Sequence, residues 1–188
     1  MRHFITLLAL GFTLNAAILL PENFTTDFQQ TITNDKGKVI KYEGKVLFKN
    51  FQQTLSPLVG NSTESTRSLF KWSYTAPTQK EVCTDGVQLI VVDHDLEQVA
   101  TYLIDDGINL KEILKLAKPI STTDYQATYK DIEYLISTDS KQQLKKIVYV
   151  DNLDNKVKII FKNMNYDANV NVSSLECNAP QEYDIIKG

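Results

Sequence analysis

The feature that most restricts this chain is a two-residue hydrophobic alternation that runs through almost everything after Asn23. An extended backbone sends successive side chains to opposite faces, so this period gathers one apolar row on one side of a sheet. Phe24, Phe28 and Ile32 share one face of a first strand. Asp35-Lys36-Gly37 supplies a turn, and Ile40, Tyr42, Val46 and Phe48 line the strand that returns. Further strand-like runs fall at 68–75, 80–84, 87–93, 98–104, 124–129, 132–137, 144–150 and 156–164. Asp-Gly, Asp-His-Asp and Asn-Leu-Asp-Asn turns separate them at the short spacing of an antiparallel sheet. The pattern predicts a mainly β chain whose sheet is apolar on one face.

One segment departs from that period. Leu110, Ile113, Leu114 and Ala117 recur at helical spacing, Asn109 and Glu112 form a capping pair, and Pro119 ends the run. Lys111, Lys115 and Lys118 give the helix a basic back. A helix this short is marginal alone, so its apolar stripe must lie on one face of the sheet. Phe70 and Trp72 are its expected bed. Residues 21–23 are read as the opening of a second, stubby helical turn. Residues 50–66, NFQQTLSPLVGNSTEST, have polar ends and a greasy middle broken by Pro57 and Gly60. They are read as a long surface loop, with a mobile apolar tip as the alternative.

The N-terminus explains the compartment. Arg2 precedes an uncharged run from Phe4 to Leu20, and Asn15-Ala16-Ala17 offers a small-residue cleavage site. Those 17 uncharged residues also sit at the lower edge of a membrane span, which needs about 17–25. Residues 1–17 are therefore expected to be a cleaved signal peptide, and 18–188 a single domain, with a membrane anchor as the alternative. In an exported protein the even pair Cys83 and Cys177 reads as a disulfide, the alternative being two buried free thiols. A zinc site would need about four ligands, and two thiols with one histidine beyond the leader do not supply them.

The sequence excludes several functions. A net charge of −3 with scattered lysines gives no concentrated basic face for a polyanion, so nucleic acid is not an expected partner. A Ser-His-Asp hydrolase needs a histidine poised as base. His94 lies instead in a turn between aspartates. No phosphate-binding loop, nucleophile elbow or His-Glu-x-x-His helix is present, and Asp105-Asp106 point apart on an extended chain. No enzymatic activity, cofactor or metal is expected. Three Asn-x-Ser/Thr triplets, at Asn23, Asn61 and Asn171, are within chance.

Three stretches together resemble the outer-membrane lipoprotein carrier (LolA) family. Arg67-Ser68-Leu69-Phe70-Lys71-Trp72-Ser73-Tyr74-Thr75-Ala76-Pro77 is similar to that family's basic-x-x-x-F-x-W-x-Y-x-x-P strand. Thr84-Asp85-Gly86 followed by Val91-Val92-Asp93-His94-Asp95-Leu96-Glu97-Gln98-Val99 resembles its DG…YDPDLEQV hairpin. The segment from Val150-Asp151 through Phe161, Asn163, Asn169 and Pro180 to Tyr183-Asp184-Ile185 looks like its C-terminal pattern. The likeness covers roughly residues 24–187. It departs at one point: the family's lid-latching basic residue stands four positions before the phenylalanine, where this chain has Thr66. Arg67 is one residue short, so the resemblance leaves Arg67, restored by a bulge, or Lys49 as the latch.

The resemblance implies an unclosed antiparallel half-barrel with a short helical lid over an apolar cavity. It implies a monomeric periplasmic chaperone that takes lipidated proteins by their acyl chains from an inner-membrane lipoprotein-releasing ABC transporter. Delivery would be to an outer-membrane acceptor lipoprotein or to the outer membrane itself. Phe28, Ile40, Tyr42, Val46, Phe48, Phe70, Trp72, Leu89 and Val91 are the expected acyl-binding residues, with Leu110, Ile113, Leu114 and Ala117 on the lid. The alternatives are a periplasmic lipid sensor of similar shape, or a secreted structural or adhesive β-domain without a cavity.

Overall fold

Among the described residues, twelve strands form one sheet. The computed structural model describes residues 18, 20–55, 63–84, 86–103 and 110–187, with backbone alone at 51–55, 63–66 and 187. The expected leader, the apolar tip at 56–62 with Asn61, the Asp105-Asp106 pair and the Asn109 cap lie outside the described residues. β1 (Asn23–Thr33) sits at the centre, between β2 (Val39–Leu55) and β11 (Lys156–Asn165). One wing continues through β3 (Thr63–Ala76), β4 (Lys80–Thr84), β5 (Gln88–Asp93) and β6 (Gln98–Leu103). The other runs through β10 (Leu144–Val150), β9 (Ile132–Thr138), β8 (Asp124–Tyr129) and β7 (Lys118–Pro119). Neighbours pair antiparallel except β12 (Asp184–Lys187), which lies parallel to β6. The two edges, β12 and β7, do not pair, so the sheet is curved but unclosed.

The curvature has a local cause. The β2–β3 register shifts between Glu43 and Gly44, and Gly44 lies against both the Ser73 carbonyl and the Phe28 ring. A Cβ there would stand 2.9 Å from Phe28 Cε1. Only glycine lets β3 approach so closely, and a bulge of this kind bends the strand that carries it. The alternation then puts Phe24, Phe28, Val46, Phe48, Ile136, Ile147, Val157, Ile159 and Phe161 into one buried cluster on the concave side. Ile18 and Leu20 pack against the same cluster.

The structure differs from two sequence expectations. Residues 50–55 and 63–66 are strand rather than loop: β2 runs to Leu55 and β3 starts at Thr63, with Leu55 opposite Thr63. Backbone pairing along this ladder outweighs the loop-like polarity of its Thr, Ser and Gln residues. Residues 21–23 form no helical turn either. Asn23 already pairs with Lys49, and the Asn50 N–H donates to the Glu22 carbonyl. Ladder bonds there replace the bonds a helical turn would make.

The helix α1 (Leu110–Leu116) joins the two wings between β6 and β7. Ala117 lies just past its end, with its N–H directed at the Leu114 carbonyl. No helix among the described residues is long and apolar enough to cross a membrane.

Candidate functional site

The concave face holds a cavity of about 630 Å³, within the range of about 300–1,000 Å³ usual for small-molecule sites. Its walls come from both wings. Val46, Phe48, Phe70 and Trp72 stand on β2 and β3, Val82 and Leu89 on β4 and β5, and Ile147, Ile159 and Phe161 on β10 and β11. Alternation explains the set, because directly opposed residues such as Phe48 and Phe70, or Ile147 and Ile159, share a face. Trp72 meets Phe28 edge-on at 4.9 Å and Phe161 at 6.1 Å between ring centres.

α1 forms one side of the cavity through Leu110, Lys111, Glu112 and Ile113. Ile113 and Leu114 are buried, at 0% and 3% exposure, in the cluster that holds Tyr125 and Ala127 of β8. The helix therefore beds on β8, while Phe70 and Trp72 pack against the same buried cluster and line the same cavity. The reason is the chain path: α1 is followed at once by β7, which pairs with β8. Leu110 and Ala117 pack at the margin of the same cluster.

Of the expected acyl-binding residues, Val46, Phe48, Phe70, Trp72 and Leu89 line the cavity. Phe28 lies behind Trp72 as fully buried core. Val91 pairs with Val82, which places it on the cavity side without lining the hollow. Tyr42 packs edge-on against Tyr74 at 5.7 Å. Ile40 is 37% exposed and stands apart, because β3 ends opposite Glu43 and leaves the hairpin beyond it with β1 as its neighbour.

The two latch candidates separate cleanly. No register shift interrupts β3 near Arg67, so no bulge restores the family spacing. Arg67 nevertheless lines the cavity, its aliphatic stem crossing Gly86, where a Cβ would come within 2.9 Å of Arg67 Cδ. Gly86 holds φ +87° as well, so the tight turn there suits glycine on two counts. Lys49 points the other way. Its ammonium donates to the Val170 carbonyl at 2.8 Å on the convex side, which turns it away from α1.

That convex side carries the C-terminal strap. Leu69, Val170 and Leu175 make a small second core, and Lys71 donates to the Glu176 carbonyl at 3.0 Å. Cys83 and Cys177 are joined as a disulfide with Cα atoms 5.7 Å apart. Glu81 approaches the two sulfurs closely enough to suggest a metal cluster, but both sulfurs are committed to their bond. The Asp-His-Asp turn is structural too. Asp93 accepts backbone N–H bonds from Asp95 and Leu96 and an ion pair from Lys80, and His94 Nδ1 meets the Tyr183 hydroxyl at 3.1 Å.

Sequence reasoning missed a polar group at the hairpin end of the cavity: Gln30, Tyr74, Tyr129 and Tyr149. The Tyr74 hydroxyl donates to Gln30 Oε1 at 3.3 Å. Burial, and then the neighbouring Tyr42, push the Tyr74 phenol up to about 12. Burial also raises Tyr149, with Tyr134 and Tyr74 adding to it. Alternation does place Gln30 on the face of Phe28, but a glutamine there reads as an exception rather than a signal.

Residues 65–133 match the family described as outer membrane lipoprotein carrier protein LolA. Over 163 residues the chain is 31% identical to an outer-membrane lipoprotein carrier protein of Wolinella succinogenes, covering 87% of this chain and 86% of that protein. It is 30% identical over 164 residues to the protein of that name in Campylobacter jejuni, with 87% and 86% covered. Among solved structures, an uncharacterized conserved protein from Thermus thermophilus superposes with a TM-score of 0.50 at 8% identity. That overlap covers 90% of this chain and 92% of the other, a likeness of fold.

Proposed function

This chain belongs to the outer-membrane lipoprotein carrier family, and we propose that it shelters the acyl chains of lipidated proteins in the hollow beside α1 while they cross the periplasm. The observation that carries this reading is an amphipathic helix bordering an apolar cavity of about 630 Å³.

Each acyl methylene that leaves water gains about 0.8 kcal/mol, so a dozen gain about 10 kcal/mol. A lipidated protein therefore needs cover to travel, yet a rigid hollow with that affinity would not release its cargo. A helix that shields the empty cavity offsets part of the gain, because cargo must displace it. Ile113 and Leu114 are the residues whose burial holds α1 shut. Phe48, Phe70, Trp72 and Leu89 are the acyl contacts, with Arg67 as the latch at the rim. The route runs from an inner-membrane lipoprotein-releasing ABC transporter to the outer membrane or an acceptor lipoprotein there, after removal of residues 1–17. The carrier works as a monomer, without cofactor or catalysis.

The test is mass spectrometry of proteins that copurify from the periplasm with the wild type and with Phe70→Glu. Phe70 is only partly buried, so the variant keeps its fold while placing a carboxylate in the cavity wall. Acylated proteins should accompany the wild type and be lost from the variant. The same acylated set on both, or none on the wild type, contradicts the proposal.

A further inference from the structure

We infer that the hairpin end of the cavity is a separate polar subsite for uncharged carbonyl acceptors, the ester or amide groups at the head of an acyl chain. This rests on the acyl-binding reading of the same cavity.

Gln30, Tyr74, Tyr129 and Tyr149 converge there from β1, β3, β8 and β10, four strands that are not neighbours in the sheet. The register sets them at one end. Gln30 pairs with Ile159, Tyr149 with Val157, and Tyr74 reaches back to the Gln30 carboxamide at 3.3 Å. That bond uses the carboxamide oxygen, so its two N–H donors remain for the cavity. No hydrogen bond to a described residue engages those donors or the Tyr149 hydroxyl. Donors that open onto an apolar hollow lose their water when cargo fills it, which is costly unless a ligand oxygen takes that water's place.

The class of ligand follows from charge. None of the four subsite residues is a cation, and such donors suit a neutral carbonyl rather than an anion. Arg67 is seven residues from Tyr74 along β3, roughly 23 Å at about 3.3 Å per residue. Lys130 lies over the Tyr129 ring at 5.6 Å but is exposed and does not line the cavity. Tyr74 and Tyr149, with phenols raised by burial, stay protonated through the physiological range. The cargo is then polarised: its head linkages meet the tyrosines, and its tails run along Phe48, Phe70 and Trp72.

The experiment titrates the full-length protein with an alkane, a methyl ester and a fatty acid of equal chain length at pH 8. The readout is Trp72 fluorescence. The ester should bind roughly five- to tenfold tighter than the alkane, the gain of about one hydrogen bond in a dry site. Tyr149→Phe and Gln30→Met should each bring that ratio toward one, while Tyr102→Phe on exposed β6 leaves it intact. An unchanged ratio in both cavity variants overturns the subsite, as does tighter binding of the fatty-acid anion than of the ester. Saturable binding of all three probes without preference sinks the subsite alone, and absence of binding by any probe sinks the acyl reading with it.

Discussion

Gly44 illustrates how much of this molecule depends on single positions. Its missing side chain lets β3 lie against β2 where the ladder bulges and lets Phe28 fill the space beneath. Gly44→Ala should cost about 1–3 kcal/mol, the range of overpacking in a dense core, read as a lowered denaturation midpoint with an unchanged slope. Tyr74 makes a pH prediction at the same scale. Its phenol rises from an ordinary 10 to about 12 in the folded chain, because burial and Tyr42 disfavour the phenolate. A folded value above the unfolded one means the contribution is fully present below pH 10 and lost as pH climbs through about 12. Stability should therefore hold to about pH 10 and then fall, with a shallower fall in Tyr74→Phe. An equal alkaline slope in both proteins would show that Tyr74 is not the group responsible.

The strap and the helix are the elements that distinguish this sheet from a bare one. The disulfide closes 94 residues of separation between β4 and the strap, a constraint worth about 2–4 kcal/mol against the unfolded chain. Cys83→Ser with Cys177→Ser should lose that much in chemical denaturation yet keep the cavity, since the strap lies on the convex face. For the helix, Leu114→Asp places a charge at a site 3% exposed, and α1 should then no longer close against Tyr125 and Ala127. Acyl cargo should dissociate faster from that variant during gel filtration, and equal retention would refute displacement by the helix. Both elements mark the limits of sequence reading. The period of Leu110, Ile113 and Leu114 announces a helix with one greasy face, but nothing local says that β8 receives it. Residues 50–55 and 63–66 resemble loop in sequence because their polar composition lacks the apolar alternation by which a strand is read.

At the scale of the whole molecule, the sheet has more apolar face than it fills. An antiparallel sheet commonly closes into a barrel or packs on a second sheet, which buries that face. Here β12 and β7 stay apart, and one seven-residue helix takes the place a second layer would have. The alternation of Phe24, Phe28, Val46, Phe48, Phe70 and Trp72 makes the apolar face legible in sequence. Which strands curl around to oppose it is not legible there, because that depends on the Gly44 bulge and on long-range pairing of β1 with β11. The protein carries its own probe of the unfilled space, since Trp72 is the single tryptophan and lines the cavity. The most direct measurement is quenching of its fluorescence by a lipopeptide whose acyl chains carry bromine. Saturable quenching by the acylated peptide, and none by its deacylated form, is the predicted result. A folded protein whose Trp72 emission ignores the brominated chains at saturating lipopeptide would contradict the account.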